Sequence, residues 1–112
     1  MTITIDPILD AEIQAFQARK ADAIEHTEVC LQVAYSLRQD GISTVAIHGR
    51  DRIEHSRIEI GEADFRRFFA GKDATEHLGV FTTLETKHSG VTVFCYIPTV
   101  AAKKQEIRTV QL

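Results

Sequence analysis

Paired cysteines are the first thing this 112-residue chain lacks: Cys30 and Cys95 are its only two, far apart, each inside an apolar run. A cysteine-ligated zinc site needs paired spacings and is excluded, and a disulfide is disfavoured. Both thiols read as small buried hydrophobes of a reducing compartment. Tryptophan is absent and proline is limited to two residues. No apolar run approaches the roughly 18 residues of a membrane span. Met1 to Pro7 also lacks the basic start and apolar stretch of a secretory signal. We expect a cytoplasmic protein.

A large excess of either charge is missing too. The net charge is −3, which disfavours both a strongly acidic mimic of nucleic acid and a strongly basic binder. Residues 1–40 hold seven acids and three bases, and residues 57–112 hold seven acids and eight bases, so a basic face is confined to the C-terminal part. With 44% hydrophobic residues the chain can close one core without a metal or a cross-link. We expect a single α+β domain over residues 1–112.

Thr2 to Ile5 alternates as a short strand would, and Asp6 followed by Pro7 is a cap with proline in the first helical position. No glycine or proline interrupts Ile8 to Asp40, and Gly41 is placed to end a helix. Such a helix is about 50 Å long at 1.5 Å per residue, more than the core of one small domain can cover. Leu9, Ile13 and Phe16 form a narrow apolar stripe on a polar N-terminal half. From Ala23 to Leu37 apolar residues cover most of the circumference and predict the central core helix. Either the segment bends near Arg19 to Asp22, or its N-terminal half projects to pack on another chain.

Beyond Gly41, Ser43 to His48 and Arg52 to Ile60 predict a hairpin turning at Gly49 to Asp51. Its second arm carries a bulge near His55 to Arg57 and alternating charges that suit an edge strand. Gly61 to Asp64 starts a short helix with Phe65, Phe68 and Phe69 on one face, closed by Gly71. Leu78 to Thr86 and Val91 to Thr99 predict a second hairpin, whose second strand is central and ends at Pro98. Glu106 to Leu112 can add a last edge strand. The order is β-α-β-β-α-β-β. A long N-terminal helical segment and a short helix are expected on a four- to five-stranded, mostly antiparallel sheet. They should lie on one face of a meander rather than in a ferredoxin-like βαββαβ pairing, because the helices differ too much in length.

Chemistry-bearing motifs are also missing. Five histidines (His26, His48, His55, His77, His88) could ligate metal, but no His-x-His, His-x-Glu or His-Glu-x-x-His spacing occurs, and surface histidines are expected. A thiol or carboxylate enzyme would have to assemble from Cys95 and a distant histidine, or from Glu54 and His55, whose side chains point to opposite faces if both lie on a strand. The six glycines stand singly and make no phosphate cradle. We expect no catalytic residues, no metal and no cofactor.

Two binding surfaces remain. The expected one is protein interaction through Leu9, Ile13 and Phe16, with homodimerisation through the helical arm and a larger protein complex as partner. For a compact domain without chemical motifs we expect a bacterial or phage-borne accessory protein of the inhibitor or adaptor type. The alternative is a nucleic-acid surface of Arg50, Arg52, Arg57, Arg66 and Arg67, with five acids interleaved between Arg50 and Lys72. A small metal- or thiol-dependent enzyme stands third.

Overall fold

The computed structural model describes residues 6–98 and 106–112. The strand expected at Thr2 to Ile5 lies outside them. A single unbroken helix, α1 (Pro7–Gln39), opens the described chain, without a bend near Arg19 to Asp22. Asp6 caps it, its carboxylate accepting from the Ile8 amide at 2.8 Å, with Pro7 in the first turn. At the other end the Gly41 and Ile42 amides donate to the Arg38 and Leu37 carbonyls, each at 3.0 Å, and Gly41 takes φ +82°. The reversal drops Ile42 onto Leu37, and both are buried.

Strands β1 (Thr44–His48), β2 (Arg57–Ile60), β3 (Asp73–Leu78), β4 (Thr82–His88), β5 (Val91–Ile97) and β6 (Glu106–Gln111) form one sheet in the order β1-β2-β5-β4-β3-β6. Every pairing is antiparallel except β2 with β5. The parallel pair follows from the crossover through α2 (Glu62–Phe68), which leads away from β2 and lets the β3-β4-β5 meander return beside it. Ser89 and Gly90, both at positive φ, make the tight β4-β5 turn.

Three expectations need correction. Arg52 to Ile60 is not one bulged strand: Ile53–His55 forms a 3₁₀ turn, only Arg57–Ile60 is extended, and the irregular register falls in β1 between Thr44 and Ala46. The charged arm is not an edge either. β2 lies between β1 and β5 because Arg57 and Glu59 sit on the sheet face opposite the helices while Ile58 and Ile60 are buried beneath them. The sheet has six strands, since Asp73–Leu78 pairs with both β4 and β6; its mixed polar composition carries no clear alternation.

One core fills the space between the sheet and the two helices. Cys30, Val33, Ala34 and Leu37 of α1 and Phe65 and Phe69 beside them cover Ile58, Ile60, Leu84, Val93 and Cys95. Full burial of each large side chain contributes about 1.5–3 kcal/mol. Phe65, Phe68 and Phe69 stack at 4.9–5.0 Å between neighbouring ring centroids, with Phe68 half-buried at the rim, as their spacing predicts. The carboxylate of buried Glu76 is compensated by Arg108, its register partner on β6.

Candidate functional site

Only the C-terminal part of α1 rests on the sheet. Every residue from Pro7 to Asp22 is exposed, so 16 residues, about 24 Å of helix, carry no load in the core. Leu9, Ile13 and Phe16 lie along this arm with their side chains in solvent. The structure also corrects the reading of the following turns. Ile24, Leu31 and Tyr35 are exposed rather than core, because the sheet touches one side of the helix and no described residue covers the adjacent side. These six residues are 47–67% exposed. At 3.6 residues per turn they fall within a sector about 100° wide that runs the length of the helix. The buried sector of Cys30, Val33, Ala34 and Leu37 lies next to it.

Near its C-terminal end this apolar face borders a groove against the edge strand β1, about 400 Å³, lined by Leu31, Ala34, Tyr35, Arg38, Thr44 and Ile47. The groove owes its position to how tightly the β1-β2 connection is held to α1. Gly49 packs directly on Thr27, and the His26 Nδ1–H donates to the Arg50 carbonyl at 2.7 Å. The buried Ser56 hydroxyl accepts from the Arg50 amide at 3.0 Å and donates to the Arg52 carbonyl at 3.2 Å. Sequence spacing could have located the extended face: Ile24, Leu31 and Tyr35 continue the sector begun by Leu9, Ile13 and Phe16. The density of apolar residues from Ala23 to Leu37 masks that continuity.

The five arginines of the nucleic-acid alternative do not form one surface. Arg57 faces away from the helices on the sheet and donates to Glu85, while Arg66 and Arg67 lie on α2 and pair with Glu62 and Asp64 at 2.9 and 2.8 Å. Arg52 pairs with Glu54 in the 3₁₀ turn, and the Arg50 backbone helps to fasten that loop. A backbone hydrogen bond and the adjacent Arg52 hold the Glu54 carboxyl below its usual range. Four of the five guanidiniums are thus already matched to carboxylates, which lowers the field available to phosphate.

Among the described residues no group of three or more His, Cys, Asp or Glu side chains could hold a metal ion. The histidines are dispersed: His77 donates from Nε2 to Glu85 at 2.9 Å, His88 makes T-shaped ring contacts with Phe68 and Phe69, and His48 and His55 are exposed. Both cysteines are free and buried, and burial raises their thiols, Cys95 to about 11. That is the reverse of what a nucleophilic thiol needs. No described helix is long and apolar enough to cross a membrane. The chain matches no protein-family model, no curated protein and no solved structure.

Proposed function

We propose that this chain is a non-catalytic protein-binding module, of the inhibitor or adaptor type, that acts on a larger protein complex and associates with itself through the arm of α1. The observation that carries the reading is the exposed apolar face of α1. Large apolar side chains on a helix that projects past its own core lower their free energy by meeting another protein, and amphipathic helix faces are a common docking element. Among the described residues β1 and β6 are the edge strands of the sheet, and their outer backbone donors and acceptors offer a place on which a partner strand could dock.

Replacing Leu9, Ile13 and Phe16 together by Ser tests the reading, because these side chains lie outside the core. The circular dichroism spectrum and melting temperature should stay close to those of the parent. Mass in sedimentation and the proteins captured from native extract should change. Unchanged mass together with unchanged capture would make the reading wrong.

A further inference from the structure

The exposed face of α1 has a symmetry in its spacing. Leu9, Ile13, Phe16 and Lys20 follow one another at intervals of 4, 3 and 4 residues. After a further interval of 4, Ile24, Glu28, Leu31 and Tyr35 repeat 4, 3 and 4. The series reads the same from either end, with Asp22 at its centre. Asp22 also ends the exposed stretch Pro7 to Asp22, and the remaining stretch of the helix, from Ala23 to Gln39, is nearly the same length.

We infer that the occupant of this face is a second copy of the chain, laid antiparallel so that the arm of each copy lies along the sheet-packed half of the other's α1. The inference rests on the protein-binding reading and specifies its self-association. A two-fold axis level with Asp22, which itself falls on the opposite side of the helix, places Leu9 opposite the second copy's Tyr35 and Ile13 opposite its Leu31. Phe16 then faces Glu28, and Lys20 faces Ile24. Leu9 and Ile13 of one arm thereby enter the groove between Tyr35, Leu31 and β1 of the other copy. An isologous contact of this kind closes on itself and satisfies both faces at once.

Charge selects this orientation. Lys20 has no acid and Glu28 no base three or four residues away on α1, and neither enters an ion pair among the described residues. They are about 12 Å apart along one helix, too far to pair within it. In the antiparallel arrangement Lys20 lies one layer from the second copy's Glu28, a distance its side chain spans, and symmetry makes the contact twice. A parallel pair would set Lys20 against Lys20 and Glu28 against Glu28, a repulsion at both positions. Area agrees with this occupant. Six apolar residues about half exposed offer on the order of 600 Å² per copy, so pairing removes on the order of 1,200 Å², the lower end of stable interfaces.

The test uses the full chain in two forms with one added cysteine each, Ile13→Cys and Leu31→Cys, whose new thiols lie at exposed positions while Cys30 and Cys95 stay buried. Sedimentation of the unmodified chain reports self-association, and mild oxidation of an equimolar mixture reports orientation. The expected result is a dimer whose mixture forms the Ile13→Cys to Leu31→Cys disulfide in preference to either like-with-like product. A dimer that instead gives the Ile13→Cys homodisulfide, or no disulfide at either position, overturns the antiparallel pairing and leaves self-association standing. A monomer at hundreds of micromolar overturns both. As a check independent of new thiols, Lys20→Glu or Glu28→Lys alone should weaken dimerisation roughly tenfold, since symmetry places each contact twice, and the two together should restore it. Absence of rescue would overturn the assigned contact.

Discussion

Arg57 on β2 and Glu85 on β4 meet across the intervening strand β5, Nη2 donating to Oε2 at 2.9 Å, above the ring of Phe94. The guanidinium carbon is 4.1 Å from the ring centroid, and the other Glu85 oxygen accepts from His77 on β3. Four strands are thus tied together on the face that carries no helix. The pair is about a third exposed and Arg57 Nε is buried without a hydrogen-bond partner, so its net worth is modest. A double-mutant cycle of Arg57→Ala and Glu85→Ala in urea should return a coupling of about 0.5–1 kcal/mol. Arg57→Ala should cost more than Glu85→Ala because it also uncovers Phe94. Zero coupling would mean that the contact is not maintained in solution.

Gly49 and Thr27 are in closer contact than any side chain at residue 49 allows. A Cβ on Gly49 would lie 2.7 Å from the Thr27 Cα, which is backbone and cannot rotate away. Gly49→Ala should therefore push the β1-β2 connection off α1 and destabilise the fold by about 1–3 kcal/mol, read as a lower urea midpoint. Thr27→Ala in the same background should give little relief, since the Thr27 Cα remains. A melting temperature equal to that of the parent would contradict the packing described.

Ser56 is fully buried and holds both sides of the same connection through one hydroxyl. Ser56→Ala leaves the Arg50 amide and Arg52 carbonyl without that partner and should cost about 1–3 kcal/mol. Amide hydrogen exchange at Arg50 should accelerate in the variant. Parent-like exchange there would show that the hydroxyl is dispensable.

Burial sets the thiol chemistry. Cys95 ionises near 11 in the folded chain, against 9.0 for the free group, and Cys30 is also raised. Above pH 9 the unfolded chain loses a thiol proton that the folded chain keeps. The stability contributed by the buried neutral thiol is therefore fully present below pH 9 and declines as the pH rises from 9 through 11. An aromatic disulfide reagent at pH 8 should label neither cysteine in the native protein and both in denaturant. Rapid labelling of the native chain would contradict their burial.

Local chemistry announced several elements correctly. Asp6 and Pro7 mark the start of α1 and Gly41 its end. The β-rich runs around Ser89 and Gly90 give the β4-β5 hairpin, and the phenylalanine spacing gives the inner face of α2. The 3₁₀ turn at Ile53–His55 was less accessible, because it depends on His26 and Ser56 fastening a loop to a helix more than twenty residues away. β3 was missed for a similar reason. Residues Asp73–Leu78 show little hydrophobic alternation and are extended because β4 and β6 supply hydrogen-bond partners on either side.

The same division runs through α1. Sequence by itself determined where the helical segment starts and stops, that it is longer than one small core can cover, and that it is apolar along Leu9, Ile13 and Phe16, since these follow from helix propensity, capping and spacing. That it runs without a bend near Arg19 to Asp22 is a result of the structure. Only the tertiary structure decided which apolar residues of the C-terminal half are core. Cys30 and Leu37 meet the sheet while Ile24, Leu31 and Tyr35 face solvent, because a flat sheet can cover only one side of a cylinder. Periodicity places residues around a helix axis, and the elements packed against that axis determine which of them are buried.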